Sequence, residues 1–201
     1  MGMKCNFMVA SRSNPAAALR DLPELDVKAS DALATTILGK RSWGRARRSH
    51  RTGDLSIDVY PKDGEIAVAV YGDLVIVAGE DLLSWFEQVP DAWGETLIAG
   101  YDVDVYVLHS VVSMGCFATW RGGELTRSFA GSSDDGVIVD EGERLPFETG
   151  LEGAGDDGDG DEHDFGWITE NAILDRLGYC YEGPYSPDNL DPATVPLLVY
   201  R

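Results

Sequence analysis

Residues 105–148 read VYVLHSVVSMGCFATWRGGELTRSFAGSSDDGVIVDEGERLPFE, and this stretch decides the fold. A β-branched apolar run is followed by two strand-like segments, 116–120 and 124–130. They flank Gly122-Gly123, a two-residue hairpin loop whose glycines accept the positive φ that such turns require. The hairpin register sets Trp120 opposite Leu125 and Arg121 opposite Glu124, both favourable cross-strand pairs. A further short strand at 136–140 continues the meander toward Leu-Pro-Phe-Glu. Successive strands joined by tight turns define an antiparallel sheet.

Upstream of this block, residues 6–10 form a first strand. Asn14-Pro15 then pairs an N-cap residue with proline at the first helical position. Asp26 caps a longer helix in which Val27, Ala29, Leu33, Ala34, Ile37 and Leu38 follow a helical period, and Gly39 stops it. Three strands are expected at 55–60, 65–71 and 74–78, with turns at Pro61 to Gly64 and at Gly72-Asp73. In the second of these, Ile66, Val68 and Val70 share one face and Ala67, Ala69 and Tyr71 the other, as in an inner strand covered on both sides. Asp81 opens a short helix with Leu82, Trp85, Phe86 and Val89 on one side. A short strand at 96–100 precedes the long one. Thr169 caps a last helix with Ile173, Leu174 and Leu177 inward, and 195–200 reads as an edge strand. The pattern is a single α+β domain over 1–201, with about seven or eight mainly antiparallel strands and three or four helices packed on them. It is interrupted by a basic loop at 40–53 and a flexible acidic Gly/Asp loop at 150–166.

Charge is distributed unevenly. The net charge is −19, yet residues 1–53 hold ten Lys/Arg against four Asp/Glu, whereas residues 54–201 hold six against 31. Such an acidic surface repels nucleic acid and anionic membranes. No long apolar h-region opens the sequence, and the longest apolar run is broken by His109, Ser110 and Gly115, so neither a secretory leader nor a membrane span is expected. Cys5, Cys116 and Cys180 are widely spaced and odd in number, which fits reduced thiols in a cytoplasmic protein.

Candidate chemistry is sparse. Asp157, Asp159 and Asp161 repeat the opening of a calcium loop, but Glu162 replaces the turn glycine and Ile168 stands at the twelfth position, so only a weak site for Ca²⁺ or another divalent ion is expected and no other cofactor. His109 and Ser110 invite a base and nucleophile reading, with Cys116 as an alternative nucleophile. Adjacent residues of a regular strand point to opposite faces, however, and His109 shares its face with valines, which favours a core histidine. Asp102 and Asp104 lie on one strand face and with Glu141, Glu143 or Glu148 could form a carboxylate pair suited to hydrolysis or a divalent metal. No phosphate-binding glycine loop and no C-x-x-C are present. The basic segment Lys40, Arg41, Arg45, Arg47, Arg48 and Arg51, with Trp43 and His50 interleaved, resembles a nucleic-acid contact; the surrounding negative charge favours instead a loop that neutralises the protein's own acids.

The block from Val105 to Glu148 also carries a family resemblance. An N-P-x-x-A-L-R helix start at Asn14 to Arg20, His109-Ser110, a W-x-x-G-x-L-x-R-S hairpin at Trp120 to Ser128, a segment from Gly136 to Leu-Pro-Phe-Glu148, and Glu182-Gly183-Pro184 together resemble an uncharacterised family of short actinobacterial proteins, a domain of unknown function. The resemblance implies a shared fold and no activity. From charge and the missing reaction centre, the expected function is a non-enzymatic acidic binding protein of immunity, antitoxin or inhibitor type that meets a basic protein partner. The alternatives are a hydrolase dependent on carboxylates and a divalent metal, and a nucleic-acid binder acting through 40–51. The sequence leaves oligomeric state open.

Overall fold

Strand alternation along the chain is satisfied by one sheet, every neighbouring pair of which is antiparallel. The computed structural model describes residues 2–39, 50–86, 92–148, 165–183 and 185–201. Its strands are β1 (Lys4–Ser11), β2 (His50–Asp54), β3 (Ile66–Tyr71), β4 (Leu74–Ala78), β5 (Asp102–His109), β6 (Met114–Arg121), β7 (Glu124–Ser132), β8 (Gly136–Gly142) and β9 (Pro196–Tyr200), in the spatial order β2-β9-β3-β4-β1-β5-β6-β7-β8. Helices α1 (Pro15–Arg20), α2 (Val27–Leu38), α3 (Ala92–Gly100) and α4 (Phe165–Leu177) join short 3-10 turns. The architecture is therefore α+β, with one or two strands more than the sequence suggested.

Both faces of the sheet are covered. On one face Phe7, Tyr106, Phe117 and Phe129 pack with Leu19 of α1 and with Ile168 and Ile173 of α4. On the other, Met8, Val68, Val103 and Val105 pack with Ala34 of α2, with Leu82 and Trp85 of the 3-10 turn Glu80–Phe86, and with Leu97 of α3. The caps form as the sequence dictates: Asn14 Oδ1 accepts from Ala17 N at 2.9 Å and Asp26 Oδ1 from Ala29 N at 2.8 Å. The hairpin register is also as expected, with Trp120 opposite Leu125 and Arg121 opposite Glu124; Gly122 and Gly123 take φ of 60° and 89°.

Four expectations need correction. Residues 55–60 are a turn, not a strand. Asp54 Oδ1 accepts from Ser56 N at 2.9 Å and from Ile57 N at 3.2 Å, and this local capture of the backbone outcompetes the ladder. The strand lies just before it, at β2, which pairs with β9. Residues 96–100 lie in α3, the apolar run being too short to separate strand from helix by periodicity. Helix α4 starts at Phe165, before Thr169, whose side chain is fully buried inside the helix. Finally, β9 is an interior strand between β2 and β3.

α4 lies directly against the sheet backbone. A Cβ on Gly115 would sit 1.9 Å from the Phe165 carbonyl oxygen and 2.6 Å from Thr169 Oγ1. Only glycine admits the helix this closely. That approach puts the start of α4 over one end of the sheet, where β5 finishes, β6 begins, β7 finishes and β8 begins.

Candidate functional site: buried charges and an acid-lined cavity

The hairpin motif and the Leu-Pro-Phe-Glu segment meet in a buried ion pair. Arg127 of β7 lies on the same side of its strand as Phe129, facing inward, and its side chain is wholly buried. Its Nε donates to Glu148 Oε1 and Oε2 at 2.9 and 3.1 Å, and its Nη2 also donates to Glu148 Oε2. The Nη1 donates to the Glu141 carbonyl at 2.8 Å and lies 2.6 Å from Asp140 Oδ1, tying β8 to the same cation. Glu148 Oε1 further accepts from Leu145 N at 2.7 Å. The rings of Phe117 and Phe129 lie 5.9 and 5.8 Å from the guanidinium. Burial works against this charge, but the bonds to Glu148 and Asp140 outweigh it and hold the Arg127 pKa above its ordinary value. The fixed groups make this a structural clamp, with its donors already directed at protein acceptors.

The candidate catalytic residues do not converge. Asp104 is buried, held by Arg121 Nη2 at 2.5 Å and by Arg176 Nη2 of α4 at 3.2 Å. Asp102 is exposed, two residues away, and among the described residues accepts from Gly122 N at 3.4 Å. Glu148 is engaged by Arg127, so neither it nor Asp104 is a free carboxylate facing Asp102. Tyr106, next on the Asp104 face, has a buried hydroxyl with no hydrogen-bond partner among the described residues; burial, then Asp104, drives its pKa up. His109 is a partly buried residue at the end of β5 rather than a core histidine, because the strand stops there and opens into a 3-10 turn. Its pKa is lowered by burial and by Lys4, opposite it on β1. The Cys116 thiol is buried and pushed up to about 12, which removes the thiolate needed for attack.

Ser110 finds different company from that expected. It lines a cavity of about 140 Å³ with Gly166, Trp167, Glu170 and Glu182. Glu170, 4% exposed, accepts from Tyr181 N at 2.8 Å and from Glu182 N at 3.3 Å. Glu182 Oε1 accepts from Met3 N at 3.1 Å, and Ser110 Oγ donates to the Met3 carbonyl at 3.3 Å. His109 is not among the lining residues. Sequence reasoning singled out Ser110, met Glu182 only as part of a family motif, and did not place Trp167, Glu170 or Glu182 beside Ser110, since the packing of α4 on Gly115 brings α4 to it.

Arg51 is the one Lys or Arg of the basic segment within the described residues. It binds Asp58 at 2.6 Å and lies 3.9 Å from Glu65, so its charge is directed at the protein's own acids. Lys40, Arg41, Arg45, Arg47 and Arg48 lie outside the described residues, as do Asp157, Asp159 and Asp161. Among the described residues, no group of three His, Cys, Asp or Glu side chains is placed to hold a metal ion, and no helix is long and apolar enough to cross a membrane.

An antiparallel nine-stranded sheet, helices on both faces and an inward Arg–Glu clamp joining hairpin to Leu-Pro-Phe-Glu define an α+β protein whose sequence motifs are built into its scaffold. Residues 5–200 match the model of a family described as Family of unknown function (DUF6928), and the chain belongs to that family. No curated protein and no solved structure matches it.

Proposed function

We propose that this is a non-enzymatic acidic binding protein that recognises a basic protein partner. One observation carries the reading: seven arginines among the described residues are engaged internally while acids face solvent. Arg12, Arg51, Arg121, Arg127, Arg144, Arg176 and Arg201 each lie within ion-pair distance of an Asp or Glu of the same chain. Glu24, Glu95, Glu124, Asp134, Glu141 and Glu143 remain exposed. With a net charge of −19, the outward field is negative, which accelerates encounter with a cationic surface and rejects acidic ones.

The test is affinity capture on the immobilised full chain from a cell extract at about 0.05 M and about 0.5 M salt, followed by binding of the purified captured protein. The expected partner is basic, with an association at least about tenfold weaker at the higher salt, where screening shortens the range of the field. Failure to recover a basic protein, or an affinity indifferent to salt, removes the proposal.

A further inference from the structure

The sheet has two ends, and they differ. β2 closes one and β8 the other, so among the described residues each has a neighbouring strand on one side only. A strand at a sheet edge presents a row of backbone N–H and C=O groups free to pair with another chain. β2 reads HRTGD, has no apolar side chain and carries Arg51, already directed at Asp58. β8 reads GVIVDEG, longer and β-branched at three successive positions. It contains neither the lysine nor the proline with which edge strands commonly block pairing. Val137 and Ile138 are 41% and 52% exposed, while Val139 packs against the cluster of Val107, Cys116 and Ala130.

The β8 edge is also held in place beforehand. Its pairing with β7 is regular from Val139 to Gly142 and shifts by one residue at Ile138. From the buried side Arg127 reaches Asp140 Oδ1 at 2.6 Å and the Glu141 carbonyl at 2.8 Å, fixing the strand from within the fold. An edge already in strand geometry leaves only the incoming segment to be ordered. The charges turned outward on and beside it are acids. Asp140 is taken by Arg127 and Arg144, but Glu141, Glu143 and Asp134 are exposed and have no ion-pair partner among the described residues. At about 3.3 Å per residue, the seven residues of β8 span about 23 Å, enough to pair with a strand of about five or six residues.

We propose that β8 takes an extended, lysine- or arginine-bearing segment of the basic partner as an additional strand of the sheet. Backbone pairing supplies the contact, and Glu141, Glu143 and Asp134 select cationic side chains beside them. The inference rests on the acidic-binding reading and names its mode of recognition. A second copy of this chain is the poorer occupant, because pairing edge to edge sets these acids against each other on two bodies that each carry −19.

The probe is the peptide acetyl-KTKTVTVK-amide, titrated into the ¹⁵N-labelled full chain at constant ionic strength, with acetyl-QTQTVTVQ-amide as the neutral match. In antiparallel register its first two lysines stand opposite Glu143 and Glu141 and its first valine opposite Val139. Saturable shifts confined to β8 and its flanks are expected at millimolar concentration, with slowed hydrogen exchange at alternate β8 amides, those turned away from β7. N-methylating the threonines of the probe blocks one of its edges; N-methylating the valines and the second lysine blocks the other. One version should lose binding and the other keep it. Ile138→Lys, and Glu141→Gln combined with Glu143→Gln, should each weaken the probe about tenfold, the factor for about 1.4 kcal/mol. All three positions are exposed, and an unchanged melting temperature confirms each variant. Equal effects of the two methylations, equal binding of the neutral peptide, or an unaltered titration of Ile138→Lys would each overturn the strand addition. If a basic partner is captured but Ile138→Lys retains it fully, β8 is not its contact and the acidic-binding reading stands. If the probe pairs with β8 as described and no basic partner is found, the function falls and the edge remains an acceptor of basic strands without its proposed source.

Discussion

Replacing Arg127 by Met should be among the most destabilising single changes outside the apolar core. The guanidinium is wholly buried, and its removal leaves the Glu148 carboxylate, itself 1% exposed, without a counter-charge. Asp140 loses one of two arginines and the Glu141 carbonyl loses its donor. Breaking a buried pair from one side costs about 3–5 kcal/mol, because the surviving charge stays desolvated. For a chain of this length each kcal/mol lowers the melting temperature by about 2–4 °C, so the drop should be about 6–20 °C. Arg127→Met combined with Glu148→Gln should recover about 2 kcal/mol or more, since the amide keeps an acceptor for Leu145 N and carries no charge. Urea unfolding of the parent, both single variants and the double variant closes a cycle with an expected coupling of about 3 kcal/mol. A loss below about 1 kcal/mol for Arg127→Met, or additivity of the two singles, would refute the clamp.

Four further outcomes follow from other sites. Gly115→Ala should cost about 3 kcal/mol or more in urea unfolding, because the new methyl would lie 1.9 Å from the Phe165 carbonyl oxygen and must displace α4. Thr169→Val should raise stability by about 1 kcal/mol, since the buried hydroxyl has no hydrogen-bond partner among the described residues; destabilisation would show that the oxygen is satisfied in solution. Burial raises the Asp140 pKa, but Arg127 and Arg144 more than reverse this and hold it below the ordinary carboxylate range. Its contribution is therefore full above about pH 4 and declines as pH falls through the depressed folded value. Asp140→Asn should flatten that acid limb of the urea midpoint. The cysteines, all buried, with the Cys116 thiol pushed up to about 12, should resist a disulfide reagent at about pH 8 until the protein unfolds; rapid reaction of the folded chain would contradict their burial.

The sequence was most legible where one local rule acted alone. Asn14 and Asp26 cap their helices, Gly122 and Gly123 close the hairpin, and the double apolar face of 66–71 announces an inner strand. It misled where two local rules competed. Leu55, Ile57 and Val59 alternate like a strand, yet Leu55 and Val59 are buried and Ile57 is 75% exposed, the spacing of a helical turn imposed by the Asp54 side chain. Strand β2 reads HRTGD and has no apolar alternation to announce it; pairing with β9 makes it a strand. Arg127 could have been found, because it shares strand parity with Phe129 and an inward arginine demands a buried acid. The cavity could not. Ser110, Trp167 and Glu182 are brought together by the seating of α4 on Gly115, which no spacing encodes.

This separates two kinds of residue that a sequence motif alone confuses. Trp120, Arg127, Ser128 and Glu148 belong to the motif segments, and all four are buried; Trp120 packs edge-on to Trp85 at 5.9 Å. Their substitution changes how firmly β8 and the Leu-Pro-Phe-Glu segment are held, and any loss of binding follows from loss of structure. Glu24, Glu95 and Asp134 are exposed, lie outside the motif segments and contribute little to the core. Variants there should lower partner affinity at constant melting temperature, whereas motif variants should lower both together. Plotting affinity against melting temperature across the two sets therefore tests whether recognition resides in the motif itself or on the surface that the motif supports. If Glu24→Gln, Glu95→Gln and Asp134→Asn fall on the same line as the motif variants, the exposed acids act only through stability, and the acidic-surface reading of recognition is withdrawn.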